Sequence, residues 1–400
     1  MSFNKNILPI GVQDYLPETC YNKSFLENKI SQVFKQSGYQ KIEPPTFEYI
    51  DTYNFNNSSH MEKVFKLIDF DGKVLALRSD PTLQISRIAA TKLKNNINRL
   101  FYVLNSYEFS NMQTQNSRTR EFSQVGLELI GAKGSKADCE VIILAIESLL
   151  SCGLKNFKID IGQVDYFLGI AEFYGFDERL TETIRERINN KDLTGIKNLL
   201  EKQDLSSEAK ENILLIPNLF GGKEVLKTAD KISQNQKSDN AIKNIKEILE
   251  LMEQFGYSDY ISIDFGMLPH LSYYSGIIFR GMTDCVGAAL LEGGRYDNLS
   301  AYFGANNPSV GFSIGVSRLM TAIEKTSGLQ PLKASDYAYI VIENGEKHAF
   351  EYIKKLRQSG LCIERAFVDS EQDLTQYCRD KNIKKYLIIS DKEIKEGSYE

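Results

Sequence analysis

The stretch SRTREFSQVGLELIG, residues 117–131, is the most informative part of the 400-residue sequence. Its polar and apolar residues alternate, which predicts a β-strand. A strand places every second side chain on the same face. Gln124 and Glu128 therefore share a face with Arg120 and form a polar stripe on an otherwise apolar sheet. The run RLFYVLNSYEFS before it predicts a second strand, joined to the first by a polar loop at 111–119.

The sequence on either side of this pair predicts more strands, with helices against them. The Asp71-Gly72 pair indicates a hairpin turn between two β-rich runs. Residues 175–255 have a helical and heavily charged pattern, which we interpret as an inserted helical module. The other helices of this region are predicted at 20–37, after the cap Ser79 or Asp80, at 136–151 and from about Gly311 to Lys325.

A smaller domain is predicted beyond the linker TSGLQPLKASD, where strand-like and helix-like runs alternate as a β-α-β-α-β unit. The predicted fold class is α+β. It comprises a core domain at 1–326, in which an antiparallel sheet is flanked by helices and interrupted by the helical insertion at 175–255, and a small α/β domain at 337–400.

The composition is that of a soluble globular protein, with 42% apolar residues, 25% charged residues and a net charge of −5. It excludes collagen-like, disordered and disulfide-scaffold classes and argues against a dominant phosphate-binding surface. Six cysteines without a C-x-x-C pair and only three histidines predict no metal site and no cofactor. No apolar leader and no run near 18 apolar residues is present, so we expect a cytoplasmic protein without a membrane segment.

Three segments are candidates for binding or catalysis: LRSDPT at 77–82, the strand pair at 99–131, and LEGGRYDNL at 291–299. Paired glycines allow the backbone to approach a ligand closely. Structural alternatives exist for the individual residues: a simple turn at Gly293-Gly294, a solvated strand position for Glu128, core packing for Tyr273 and Tyr274, and a structural role for His270.

The order of these segments resembles the histidine-specific branch of the class II aminoacyl-tRNA synthetases over nearly the whole chain. LPIGVQDYLPE at 8–18 is similar to the opening signature of that family, and the Pro44-Pro45 segment resembles its motif 1. The pair at 99–131 resembles motif 2, whose pattern G-R-x-R-x-F-x-Q-x-G-x-E-x-x-G is matched except for Ser117 at the first glycine. GGRYDNL followed by SVGFSIGVSRL resembles motif 3 and its approach.

This resemblance implies a histidine-binding pocket and nucleotide contacts. Carboxylates and glutamine can hold an ammonium group and an imidazole N–H, and tyrosines can line the ring. The matching pocket positions are Asp80, Thr82, Gln124, Glu128, Tyr273 and Tyr274. The positions that match possible nucleotide contacts are Arg118, Arg120 and Arg318.

Several catalytic positions depart from the synthetase pattern. Glu108 aligns with a family arginine on the first motif 2 strand, Pro269 and Ser272 replace an Arg and an Asp, and Ser317 replaces a Glu. Adenylation depends on cations fixed around the α-phosphate, so we predict no catalytic residues in this chain. Residues 337–400 carry 11 Lys/Arg and 12 Asp/Glu, and we expect no tRNA binding because phosphate contacts require excess positive charge.

A histidyl-tRNA synthetase-like chain with these losses resembles the regulatory subunits of ATP phosphoribosyltransferase. In that family the subunit joins a short-form catalytic subunit, is required for the first step of histidine biosynthesis, and conveys feedback inhibition by histidine. The resemblance therefore implies a non-catalytic subunit with histidine as effector, forming a homodimer within a hetero-oligomer. Two alternatives stay open: an active histidine-tRNA ligase, and an orphan paralogue that binds another amino acid or RNA.

Overall fold

A computed structural model describes residues 7–55, 59–93, 97–109, 119–268 and 273–399. The chain divides into two compact units, Met1–Leu329 and Gln330–Glu400. The strands are β1 (Gln40–Lys41), β2 (Phe47–Tyr49), β3 (Lys66–Ile68), β4 (Val74–Leu77), β5 (Asn98–Tyr107), β6 (Glu121–Ile130), β7 (Lys158–Gln163), β8 (Phe220–Gly221), β9 (Ile261–Asp264), β10 (Ile277–Thr283), β11 (Val286–Arg295), β12 (Ser309–Gly315), β13 (Tyr337–Val341), β14 (Ile363–Arg365), β15 (Lys385–Ile389) and β16 (Ile394–Ser398). The helices are α1 (Pro17–Gln36), α2 (Pro81–Thr91), α3 (Ser135–Ser151), α4 (Val164–Phe173), α5 (Glu178–Asn189), α6 (Leu193–Leu200), α7 (Ser207–Leu215), α8 (Val225–Ile232), α9 (Gln236–Gln254), α10 (Val316–Thr326), α11 (Glu346–Gln358) and α12 (Glu371–Asp380).

The large sheet of the first unit has the strand order β1-β5-β6-β12-β11-β10-β7-β9-β8 in the described residues. It is mainly antiparallel, with parallel pairs at β1–β5 and β7–β9. The long pair β5–β6 runs in unbroken register from Asn98 opposite Ile130 to Tyr107 opposite Glu121. The α+β class and the antiparallel sheet flanked by helices are therefore confirmed.

The two faces of β6 have different environments, because successive side chains point in opposite directions. The odd-numbered residues Val125, Leu127 and Leu129 are buried in the main core with α1 and α3. The other face packs against α2 near the sheet edge, where Ile85 of that helix joins Tyr102 of β5. Glu128 lies on this second face, between the sheet and the start of α2.

The predicted helix from about Gly311 to Lys325 is wrong over its first five residues. Residues Ser309–Gly315 form β12, which pairs with β6 on one side and β11 on the other, and α10 begins only at Val316. The alternation of Phe312 and Ile314, both buried, with small residues between them has the period of a strand. Pairing on both edges satisfies the backbone and fixes this segment as central sheet.

Two smaller sheets complete the architecture. A three-stranded sheet in the order β2-β4-β3 contains the predicted hairpin, whose turn includes Gly72 at φ +82°. The second unit has a four-stranded sheet in the order β14-β13-β15-β16, in which β16 is an antiparallel strand beyond the predicted β-α-β-α-β run. In the described parts of the chain, no helix is both long and apolar enough to cross a membrane.

Candidate functional site

Glu128 is the centre of a buried polar site on the sheet. It is 1% exposed, and its two carboxylate oxygens accept hydrogen bonds from different elements. Thr82, in the first turn of α2, donates from Oγ1 to Glu128 Oε1 at 2.8 Å. Tyr296, which follows β11, donates its hydroxyl to Glu128 Oε2. The alternative of a solvated strand residue at this position is therefore wrong.

Burial determines the protonation of Glu128. Removal of the carboxylate from water raises its pKa from 4.5 to about 8, against the opposing effect of the hydrogen bonds from Tyr296 and Thr82. The negative charge of Asp80 contributes to this rise of the pKa. Without a cation in the site, Glu128 thus keeps its proton near neutral pH.

Asp80 connects the start of α2 to the tyrosine segment. Its Oδ1 accepts from the backbone N–H of Thr82 at 2.9 Å, which caps the helix as the sequence predicts, with Pro81 in the first turn. Its Oδ2 accepts from the hydroxyl of Tyr273 at 2.9 Å. One carboxylate therefore fixes both the helix end and one wall of the site.

Three tyrosines form that wall. The rings of Tyr273 and Tyr274 are 5.0 Å apart, and those of Tyr273 and Tyr296 are 5.9 Å apart in an edge-on arrangement. Burial raises the pKa of each hydroxyl well above its ordinary range, and the nearby carboxylates raise it further. The three hydroxyls are consequently neutral hydrogen-bond donors at physiological pH.

Two glycines leave room for these side chains on the sheet. Gly311 is directly opposite Glu128, and Gly294 is opposite Gly311 on the next strand. A Cβ atom at Gly311 would lie 1.8 Å from Glu128 Oε2, and one at Gly294 would lie 2.8 Å from the ring of Tyr274. The pair at 293–294 is therefore part of a strand rather than a simple turn, and its second glycine is required by close packing.

Gln124 lies on the same face of β6 as Glu128, four residues before it, which is two strand repeats away. Its Oε1 accepts from the hydroxyl of Ser106 at 2.8 Å, and its Nε2 is 3.5 Å from the hydroxyl of Ser313. The structure therefore brings Asp80, Thr82, Glu128, Tyr273 and Tyr274 into one cluster, with Gln124 beside it.

Of the three arginines with predicted nucleotide contacts, Arg118 lies outside the described residues, and the contacts of Arg120 and Arg318 are made away from this cluster. The guanidinium of Arg120 lies 4.9 Å above the ring centroid of Phe109, and Arg318 is exposed and donates to the carbonyl of Ala289 at 2.8 Å. In the parts of the chain that the structure describes, no group of three or more His, Cys, Asp or Glu could hold a metal ion.

Tyr296 is the important residue that the sequence reasoning missed. It stands in the segment GGRYDNL, in which the paired glycines and the resemblance to the approach to motif 3 are the signals that the sequence offers. A further signal was the strand period, because Tyr296 follows Gly294 by two positions and so belongs to the same face. Tyr102, Ser106 and Ser313, which surround Glu128 and Gln124, were also not predicted.

Comparison with known proteins gives the family. The family model for histidyl-tRNA synthetase matches residues 11–319. The ATP phosphoribosyltransferase regulatory subunit of Acetivibrio thermocellus is 40% identical over 359 residues, which cover 89% of this chain and 85% of that protein.

Solved structures agree with this assignment. One described as an ATP phosphoribosyltransferase regulatory subunit/histidyl-tRNA synthetase from Bacillus halodurans has a TM-score of 0.83 at 28% identity and covers 97% of this chain and 99% of that chain. The histidyl-tRNA synthetase of Nostoc sp. PCC 7120 has a TM-score of 0.81 at 19% identity, covering 99% and 97%, and supports the fold alone. The chain thus belongs to the family of ATP phosphoribosyltransferase regulatory subunits, a non-catalytic branch of the histidyl-tRNA synthetase-like class II fold.

Proposed function

We propose that this chain is the histidine-sensing subunit of an ATP phosphoribosyltransferase. It assembles with a short-form catalytic subunit, is required for the first step of histidine biosynthesis, and conveys feedback inhibition by histidine. The observation that carries the proposal is the convergence of Glu128 and Asp80 in one tyrosine-lined site. In the described residues, their hydrogen-bond partners are hydroxyl and backbone N–H groups rather than Lys or Arg.

Histidine supplies the chemistry that such a site lacks. Its ammonium group and its imidazole N–H are donors, and the two carboxylates are strong acceptors for them. A cation also gains from the faces of tyrosine rings, and the imidazole ring packs well against them. An anion without a cationic group, such as phosphate, would by contrast meet Glu128 and Asp80 without a compensating charge. The site therefore favours a cationic, ring-bearing amino acid.

The negative charge of Glu108 supports regulation rather than catalysis, because the resemblance assigns its position to an arginine that binds phosphate. Glu108, directly after β5, stands where the resemblance aligns a synthetase arginine, and it forms an ion pair with Lys63 at 3.4 Å. Loss of one preorganised donor typically costs about 10²–10³ in rate, and a carboxylate in place of a cation costs more. We propose that the chain binds histidine without adenylating it.

A homodimer within the hetero-oligomer is proposed from an exposed apolar face on the three-stranded sheet. Phe47, Tyr49 and Leu67 are 54%, 51% and 44% exposed. They share one face because they pair with Leu75 or Leu77 of β4. Exposed patches of this kind are typical of interaction surfaces. The segment corresponds to motif 1, the dimer interface of the resembled fold, so a second copy of the chain is its proposed occupant.

The remaining expectations concern tRNA and location. The near-neutral balance of residues 337–400, with 11 Lys/Arg against 12 Asp/Glu, supports the proposal that this unit does not grip an anticodon stem. The cytoplasmic location stays a prediction.

The test is phosphoribosyl-ATP formation by a short-form catalytic subunit from the same source, with and without this chain and with and without histidine. We expect stimulation by the chain and reversal of that stimulation by histidine. No stimulation would contradict the regulatory role. Histidine- and ATP-dependent pyrophosphate exchange by the chain alone would establish the alternative of an active ligase, and a chain without either response to histidine would be the orphan paralogue.

A further inference from the structure

A buried ion-pair cluster lies directly behind the tyrosine wall. Arg295, the last residue of β11, is 6% exposed, and Asp138 of α3 is 1% exposed. Arg295 donates from Nε to Asp138 Oδ1 at 2.8 Å, from Nη1 to Asp297 Oδ1 at 2.9 Å, and from Nη1 to the carbonyl of Ala132 at 3.2 Å. A buried charge held by several partners has one preferred geometry, because any displacement leaves a charge without compensation.

The cluster fixes the backbone from which Tyr296 reaches the pocket. Arg295 contacts α3, whereas the next residue, Tyr296, contacts Glu128 on the opposite side of the sheet. The backbone N–H of Tyr296 donates to the carbonyl of Ser309 at 2.7 Å. Asp297 Oδ1, which holds the guanidinium, also accepts from the N–H of Ser309 at 2.9 Å. Tyr296 therefore lies between Arg295 and Asp297, whose side chains are both fixed by hydrogen bonds.

The same cluster holds the segment that carries the other two tyrosines. Ser275, directly after Tyr274, donates its backbone N–H to the carbonyl of Arg295 at 2.8 Å. Its hydroxyl accepts from the backbone N–H of Asp297 at 2.8 Å. A Cβ atom at Gly276 would lie 3.1 Å from Arg295 Cδ, so this segment passes against the arginine side chain.

We propose that Arg295 is a positioning residue of the histidine pocket, because it fixes the backbone on which Tyr296 and the Tyr273-Tyr274 pair stand. The proposal rests on the proposed function and extends it to a buried residue behind the tyrosine wall, whose side-chain partners are Asp138, Asp297 and Ala132. The planar guanidinium reaches three acceptors in fixed directions, which the ammonium of a lysine cannot reproduce. We therefore expect Arg295→Lys to change the geometry of the pocket although it keeps the positive charge.

The first measurement is the affinity of the full chain for L-histidine by isothermal titration calorimetry. We expect Arg295→Lys to weaken binding about tenfold, by analogy with the lower end of the range seen when residues that orient metal ligands are replaced. The matched control is Arg280→Lys. Arg280 of the neighbouring strand β10 also pairs with two carboxylates, Asp160 at 3.2 Å and Asp264 at 3.0 Å, which belong to β7 and β9. For Arg280→Lys we expect the melting temperature of the chain to fall, while its affinity for histidine stays within about twofold of that of the natural chain.

A double-mutant cycle with Tyr296→Phe separates positioning from general stability. If Arg295 acts largely through the tyrosine hydroxyl, Arg295→Lys should cost about tenfold in the natural background and at most about threefold in the Tyr296→Phe background. A purely structural role predicts equal losses in the two backgrounds. Asp297→Asn is the second variant, to be run through the same cycle if Arg295→Lys fails to fold, because it keeps an acceptor oxygen for Ser309.

The outcomes distinguish this inference from the proposed function. Equal losses in both backgrounds would overturn positioning through Tyr296, and a loss of the same size in Arg280→Lys would overturn the positioning role of Arg295 as a whole. Absence of histidine binding by the unmodified chain would instead overturn the proposed function, on which the inference depends.

Discussion

Replacing Glu128 by Gln should change the dependence of the protein's stability on pH. Burial raises the pKa of Glu128 from 4.5 to about 8, although Tyr296 and Thr82 donate hydrogen bonds to it. Between these two values the folded chain keeps a proton on this group and the unfolded chain does not. Glutamine has nearly the same shape and does not titrate, so the substitution removes the pH-dependent difference, while the loss of one acceptor oxygen lowers the stability by the same amount at every pH.

Proton linkage gives the sign and the size. Because the folded state binds one more proton than the unfolded state, the free energy of unfolding decreases with rising pH, by up to about 1.4 kcal/mol per unit. The contribution is fully present below pH 4.5 and is lost as the pH rises through about 8. Between pH 5 and pH 7 the integrated loss from this single group is roughly 2.5 kcal/mol.

The tyrosines that face Glu128 do not change their protonation in the pH range of the measurement, so they do not obscure the titration of Glu128. Burial raises the pKa of the surrounding tyrosines well above 10, so their hydroxyls stay neutral between pH 5 and pH 8. The other carboxyl that acts on Glu128 is Asp80, which is present in both the natural chain and the variant. The facing groups are Asp80 before α2, Tyr102 on β5, Tyr273 and Tyr274 before β10, and Tyr296 after β11.

The assay is urea unfolding followed by circular dichroism at pH 5, 6, 7 and 8. We expect the unfolding free energy of the natural chain, minus that of Glu128→Gln, to fall by roughly 2.5 kcal/mol from pH 5 to pH 7. Glu121→Gln, at the half-exposed start of the same strand, controls for removal of a carboxylate. Parallel pH profiles for the natural chain and Glu128→Gln would refute the argument that burial keeps this group protonated.

Three further changes test the site and the assembly. Glu128→Ala should abolish histidine feedback while it leaves stimulation of the catalytic partner largely intact; unchanged inhibition in the enzyme assay would move the sensing site elsewhere. Gly311→Ala should destabilise the chain by about 1–3 kcal/mol and remove histidine binding, because its Cβ atom would lie 1.8 Å from Glu128 Oε2. Gly287→Ala, with nothing within 4 Å of its Cβ atom, should change neither the melting temperature nor the calorimetric affinity. Phe47→Glu should shift the mass measured by light scattering from dimer toward monomer, because it places a charge on the exposed apolar face; a monomeric natural chain would contradict the dimer.

The sequence predicts the elements of the fold correctly where its local signals agree with the tertiary packing. Asp80 and Pro81 predict the start of α2, and the alternation of residues 121–130 predicts which face of β6 carries Glu128. The sequence pattern is misleading at residues 311–315, where glycines and a serine alternate with Phe312 and Ile314. A run with small residues on one face has a weak periodic signal, and only pairing to strands on both sides identifies it as sheet.

The family, the fold class and the chemical types of residue at the site follow from the amino-acid sequence, because these depend on patterns along the chain. Which of those residues meet depends on the tertiary fold. Thr82 is 46 positions from Glu128 and Tyr296 is 168 positions from it, and no local period relates them. Tertiary structure also decided the protonation of Glu128, because desolvation depends on everything packed around the carboxyl group rather than on its neighbours in sequence.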